Sequence, residues 1–409
     1  MGAPRYVPAA AVLAAVFVAA WLLAPLPEGG RDLSLSVLLG AAFGIVLQRS
    51  RFCFYCIARD FIDRRETAGM LAVLLALGVG TLGYHAVFGA FLPVPTLQRL
   101  PPGAHIGPVS LALAAGAFVF GVGMRMSGSC ISAHFYRLGE GALASPFALL
   151  GAGLGFVLGF ATWNALYLAS IHEAPVVWLP QRLGYGMSAL LQCAALLALA
   201  WAVARRGGVQ RPAGANAAAS PWQAVLRDRW PPAVGAILVA GIGVIAYLRI
   251  APLGVTAELG SLARTAASAA GWLPGRLEGL DTYAGCATAI KRALLSNNGA
   301  FVLALVAGAW AAALAAGAFR PRLPSGRDVA RNFAGGVLMG WGGMTALGCT
   351  VGTLLSGVMA GALSGWVFGA ACLAGIWAGL RVAPASGAAA SGAVASGAVA
   401  SGVAAPRLT

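Results

Sequence analysis

Two stretches decide how this chain reads: Gly121-Val-Gly-Met-Arg-Met-Ser-Gly-Ser-Cys130-Ile-Ser and Gly340-Trp-Gly-Gly-Met-Thr-Ala-Leu-Gly-Cys349-Thr-Val. Cys130 and Cys349 superpose at an offset of 219 residues. With one gap, Met124 and Met344, Gly128 and Gly348, and Gly141-Ala-Leu143 and Gly361-Ala-Leu363 superpose at an offset of 220. The chain therefore reads as two related halves, each with a cysteine in a glycine-rich break inside apolar sequence. Gly128 and Ser129 can end one helical segment and start another, with Ser129 as N-cap and Cys130 in the first turn that follows. A thiol placed there meets unpaired backbone N–H groups and the positive end of a helix dipole, a combination that attracts anions. Gly348, Cys349 and Thr350 repeat the arrangement. In a membrane, paired breaks of this kind point to a transport site between two repeats.

The surroundings are those of a membrane protein. The 409 residues are 59% hydrophobic and 10% charged, against about 25% charged in soluble domains, which excludes an ordinary soluble enzyme. Ten apolar stretches approach the length of a bilayer span: 8–24, 33–49, 68–92, 106–124, 141–170, 184–204, 232–250, 298–319, 332–346 and 360–381, of which 332–346 is short. The expected fold is an all-α, polytopic helical bundle of two inverted repeats with re-entrant half-helices. A net charge of +15 would suit nucleic acid if it were clustered, but the basic residues sit in short loops between spans. With Met1 cytoplasmic and the spans alternating, 19 of the 27 Lys and Arg residues fall on the Met1 side and 8 on the other. That is the positive-inside pattern, and it predicts both termini cytoplasmic. Val7–Ala24 lacks a clean small-residue cleavage site, so it reads as a retained span rather than a signal peptide.

Five regions follow. Residues 1–30 add an N-terminal helix, 31–204 form the first half-repeat, 205–231 a basic linker rich in Gly, Pro and Ala, and 232–383 the second half-repeat. The tail 384–409 repeats Ala-Ser-Gly-Ala-Val and is expected to be disordered. The first half-repeat starts inward near Leu33 and the second outward near Pro232, hence the inversion. Gly151, Gly155 and Gly159, and likewise Gly357, Gly361, Gly365 and Gly369, recur at helical spacing and read as close-packing faces.

Seven cysteines, mostly in or beside apolar spans, do not make a secreted disulfide framework. Cys193 and Cys372 lie mid-span as small packing residues. Cys53 and Cys56 follow Gln48-Arg-Ser-Arg51 as a C-x-x-C, a spacing used by redox pairs and zinc sites. No βαβ context and no second Cys/His pair of zinc spacing accompanies it, and His85, His105, His134 and His172 are scattered. No metal and no cofactor is expected. Cys53 lining a conduit, with Arg51 beside it, is the better reading. Gly285-Cys286 is a third Gly-Cys step, in polar sequence that is either re-entrant or a plain outer loop. Cys53, Cys130, Cys286 and Cys349 thus mark helix breaks or polar edges. A neutral S–H can donate weakly to an anionic sulfur, whereas full charge at these depths would be costly and would trap a dianion.

In this order, Gln48-Arg-Ser-Arg-Phe-Cys53-Phe, Gly128-Ser-Cys130, Gly285-Cys286 and Gly348-Cys349-Thr-Val-Gly resemble the YeeE/YedE sulfur-transport family over roughly 33–381. The resemblance implies an inner-membrane thiosulfate permease with inverted halves and a narrow waist, along which cysteines pass the ion by transient S–H···S contacts. It assigns the pathway to Cys53, Cys130, Cys286 and Cys349, with Gly128, Ser129, Gly285, Gly348, Thr350 and Arg51 supporting it. It also implies a TusA-like sulfur carrier protein at the cytoplasmic face, as a separate chain. Cys56 and the span at 8–24 depart from the family pattern. A selenium species or another sulfur oxyanion is the alternative substrate. A membrane sulfurtransferase or thiol-redox protein is the alternative of another class. Its base would be His134, four residues after Cys130, where the second copy has Thr353.

Overall fold

A computed structural model describes residues 6–27, 29–207, 221–280, 283, 291 and 295–382. The described elements are helices: α1 Tyr6–Leu23, α2 Gly30–Ser50, α3 Phe54–Arg64, α4 Ala68–Phe91, α5 Leu111–Ser127, α6 Ile131–Gly139, α7 Ser145–Leu166, α8 Leu179–Arg206, α9 Pro221–Leu226, α10 Pro232–Arg249, α11 Ala257–Ala269, α12 Asn297–Ala315, α13 Gly326–Thr345, α14 Thr350–Met359 and α15 Leu363–Val382. The opening of α14, Thr350–Ser356, is π-helical. Nine described helical spans are long and apolar enough to cross a membrane, and α13 with α14 makes a tenth, bent by 41° at its break. All ten apolar stretches are helical. The protein is a multi-pass membrane protein.

Two sequence boundaries moved. The short stretch 332–346 is the apolar end of α13, which starts at Gly326 behind a capping box in which Ser325 and Asp328 satisfy each other's backbone N–H groups. Arg327, Asp328 and Arg331 hide that first turn from a hydropathy reading. The Gly357–Gly369 series is not one helix face. Gly361 turns the chain at φ +81° between α14 and α15, and its spacing to its neighbours is incidental. The series at Gly151, Gly155 and Gly159 does pack. A Cβ on Gly151 would stand 2.1 Å from the Phe333 carbonyl oxygen, and one on Gly155 2.1 Å from that of Val337. Gly336 and Gly340 of α13 return the contact against Ala148 and Ala152 of α7. Bare backbones thus touch where lipid gives no hydrophobic drive for association.

The main helix pairs form couples. α7 packs on α13 and α15 on α5. α12 packs on α2 and α10 on α4, while α1 lies on α12 and α8 on α4. This set is unchanged when α1, α2, α4, α5 and α7 are exchanged with α8, α10, α12, α13 and α15.

Loops gather at two ends. At one, the Trp230 N–H donates to the Arg49 carbonyl at 3.1 Å, the Arg320 N–H donates to the Glu140 carbonyl at 3.0 Å, and Ala142 pairs with Arg322. Basic residues concentrate here. At the other end, the Val109 N–H donates to the Pro175 carbonyl at 2.9 Å and the Leu179 N–H to the Gly361 carbonyl at 2.9 Å. The broken span α5–α6 therefore runs toward the basic end, and α13–α14 runs away from it.

Candidate functional site

Three cysteines occupy one structural position. Cys53 is the N-cap of α3, Cys130 of α6 and Cys349 of α14, each with extended backbone. Their carbonyls accept the first helical hydrogen bonds, from Ile57 at 2.9 Å, His134 at 3.1 Å and Thr353 at 2.8 Å. Each follows the end of a longer helix: α2, α5 and α13. The sequence reading put Ser129 at the N-cap and Cys130 in the first turn. The structure shifts this by one residue, because Gly128 is spent as the left-handed C-cap of α5 (φ 77°), its N–H bonded to the Met124 carbonyl. Each sulfur thus sits beside the first N–H groups of a helix start.

The thiols are 0–1% exposed. Cys53 joins two others, its sulfur hydrogen-bonded to the thiols of Cys130 and Cys56. Cys349 belongs to the same contiguous core, with Cys372 as its thiol neighbour. None of the six described cysteines is in a disulfide. Cys286 and Gly285 lie outside the described residues. Arg51 stands at the left-handed C-cap of α2 with an exposed side chain (φ 50°), on the basic side of the thiols and outside their cluster.

The polar shell at the breaks is incompletely satisfied. The buried hydroxyls of Ser129 and Ser132, on either side of Cys130, and of Thr350, next to Cys349, have no hydrogen-bond partner. A buried hydroxyl without a partner costs about 1–3 kcal/mol, so such groups gather where a ligand or water completes them. Gly348 is required by space rather than by backbone conformation. A Cβ there would stand 2.2 Å from the Thr353 hydroxyl oxygen, and the left-handed residue of this break is Leu347 (φ 56°).

Sequence reasoning missed a cleft at the non-basic end. His105, Ser110, Thr345, Thr353 and Ser364 line a narrow cleft, with about 10 Å³ of room for water, that reaches Ala346 and Leu347 just before Cys349. These residues come from loops and helix ends far apart in sequence, and only Thr353 carried a signal, as the counterpart of His134. Arg137 was also missed as part of the site. Its guanidinium donates to the Gly128 carbonyl and to the Cys56 sulfur, each at 3.3 Å. A lone charge seven residues after Cys130, in an apolar half-helix, was the available clue. His134 has a buried Nε2 without a hydrogen-bond partner. Its Nδ1 lies 3.3 Å from the Ser145 hydroxyl of α7.

Paired breaks with thiols at helix starts suit the passage of a soft anion, and comparison with known proteins gives the same direction. The sulphur-transport family model matches residues 49–378, a range that contains all three cysteine breaks. The chain belongs to the sulphur-transport family. Among its relatives in that family, the thiosulfate transporter TsuA of Spirochaeta thermophila is 28% identical over 364 residues, covering 83% of this chain and 96% of that protein. The thiosulfate transporter TsuA of Escherichia coli is 25% identical, covering 83% and 92%. The probable transporter YedE of Escherichia coli matches more locally, at 32% identity over 132 residues, 32% of this chain.

Proposed function

We propose that this sulphur-transport protein takes up thiosulfate across a bacterial inner membrane, through a central route on which Cys53, Cys130, Cys349 and Cys286 relay the ion. The observation that carries this reading is the repeated device described above: a buried thiol at the start of each half-helix, flanked by unpaired hydroxyls, on two broken spans that run in opposite directions. The coupled packing of α1–α7 with α8–α15 supports an inverted pseudo-repeat, the architecture in which half-helix starts converge on one site. Its halves meet before α8 rather than at the 205–231 linker read from the sequence. The anion enters from the cleft at His105 and Thr353, reaches the Cys349 break, crosses to Cys130 and Cys53, and leaves at the basic end. The basic end is cytoplasmic in this reading, together with both termini.

Sulfur–hydrogen contacts along the route are transient and no bond to substrate is made, so the protein is a carrier rather than an enzyme. A sulfurtransferase would need a base bonded to its nucleophilic thiol, and no His134–thiol hydrogen bond is present among the described residues, its Nδ1 lying 3.3 Å from the Ser145 hydroxyl. At the exit, Arg59, Arg64, Arg65, Arg320, Arg322 and Arg327 form a rim on which a TusA-like sulfur carrier would dock to collect the sulfur. The uptake reading is tested by growth. Cells lacking their own sulfate and thiosulfate uptake should grow on thiosulfate, and not on sulfate, once they express this chain. No growth on thiosulfate, with cellular accumulation of a labelled selenium species that depends on this chain, would assign the alternative substrate.

A further inference from the structure

Arg137 is the unusual group of the site. It sits in the last turn of α6, between the Cys130 break and the basic end. It reaches across two elements at once, to the carbonyl of Gly128 in the break and to Cys56 in the first turn of α3. Tyr136 is its further hydrogen-bonding neighbour. None of these partners is a carboxylate, and among the described residues Arg137 forms no ion pair. The nearby Glu140 is engaged by Gln48, whose Nε2 donates to its Oε1 at 3.2 Å. A half-buried guanidinium between helices without a counter-charge favours a site that an anion visits. Its donors are fixed in a fork that matches a sulfur oxyanion's paired oxygens.

We propose that Arg137 and Cys56 form an inner anion subsite, taking a divalent sulfur oxyanion after it leaves the Cys53–Cys130 pair and before it reaches the basic end. Arg137 binds the oxygens, while the Cys56 thiol, a hydrogen-bonding neighbour of Cys53, meets the terminal sulfur. This deepens the uptake reading above and rests on it for the choice of ion. It also gives a role to Cys56, which the family pattern leaves without one. The guanidinium rewards the ion's arrival at the end of the thiol relay, where neutral S–H groups alone would hold it weakly.

Two measurements on the full chain separate this subsite from the transport reading: calorimetric binding of thiosulfate to the purified protein, and uptake of radiolabelled thiosulfate into proteoliposomes. Arg137→Gln should weaken binding by about 10- to 100-fold, the worth of charge-assisted hydrogen bonds, and Arg137→Lys by less. Cys56→Asp guards against misfolding, since it supplies a tethered carboxylate that pairs with Arg137 and occupies the subsite. It should stay folded and lose thiosulfate binding to a similar degree. If Arg137→Gln and Cys56→Asp are monodisperse and bind as the parent does while the parent transports, the subsite is wrong and the transport reading stands. If the parent binds thiosulfate with Arg137-dependent affinity but carries none into proteoliposomes, the subsite stands and the transport reading falls. A parent that neither binds nor carries thiosulfate removes both.

Discussion

Cysteine is a weak cap, because its sulfur accepts a backbone hydrogen bond less well than the oxygen of Ser, Thr, Asp or Asn. Three cysteines at N-cap positions therefore give up helix stability at three sites, and the hydroxyls beside two of them are left unpaired. Ser129 makes this testable. Removing a hydroxyl that bonds nothing should leave the melting temperature in detergent close to the parent's, or raise it, because the unmade bond costs about 1–3 kcal/mol. Thiosulfate uptake by Ser129→Ala should nevertheless fall. A destabilised protein with parental uptake would mean that Ser129 has a structural partner and no part in the route. Gly348 gives a second test at this scale. Gly348→Ala drives a methyl into the Thr353 hydroxyl, an overlap of the kind that costs about 1–3 kcal/mol, and adding Thr353→Ala should restore most of the lost thermal stability. If the double variant is no better than Gly348→Ala alone, the contact does not set the need for glycine.

At the scale of elements, the packing of α7 on α13 depends on where glycine lies, not on how many there are. Gly153 and Gly155 share α7, yet a Cβ on Gly153 meets nothing within 4 Å while one on Gly155 would stand 2.1 Å from a backbone oxygen. Gly155→Ala should lower the melting temperature in detergent clearly, and Gly153→Ala should leave it unchanged or raise it slightly, since alanine is the better helix former. Equal effects would show that the helices adjust their separation freely. The spans themselves were legible from apolar length alone, and the Gly151–Gly159 stripe from its spacing. The Gly357–Gly369 stripe misled because spacing cannot reveal a left-handed turn at Gly361. α11 was hidden as well: Glu258 and Arg264 give it the polarity of a loop, though both are buried in the structure. Of the site, sequence spacing found Cys130 and Cys349 by their match to each other. It could not find that Cys53 has the same helix-start geometry, because the residues before it, Arg51 and Phe52, contain no glycine and the break is made by Arg51 in a left-handed conformation.

At the scale of the molecule, the loops sort into a basic end and an opposite end joined by different hydrogen bonds, and the positive-inside rule orients them. Leu323, 89% exposed in the loop at the basic end, and Val94, 70% exposed at the other, are suitable reporters. In a background without other cysteines, Val94→Cys should react with an impermeant maleimide in intact cells, and Leu323→Cys only after the membrane is opened. The reverse pattern would turn the molecule over and make the basic rim an entrance. Docking of a sulfur carrier at that rim belongs to this scale too. Charge reversal of Arg64 and Arg65 together should weaken binding of a purified carrier at low salt, and added salt should mimic the change, since exposed charges are screened beyond about 8–10 Å. Unchanged binding at low salt would remove the rim as the docking surface.

The claim on which all three scales rest is that buried thiols at the starts of half-helices carry thiosulfate. Uptake of radiolabelled thiosulfate into proteoliposomes, compared between the parent and the single variants Cys53→Ser, Cys130→Ser and Cys349→Ser, tests it most directly. Each variant should fold and melt close to the parent, because serine is nearly isosteric and a better cap, and each should lose at least about 10-fold in initial uptake rate, a loss of about 1.4 kcal/mol in transition-state stabilisation. Parental uptake rates in well-folded Cys130→Ser and Cys349→Ser proteins would contradict it.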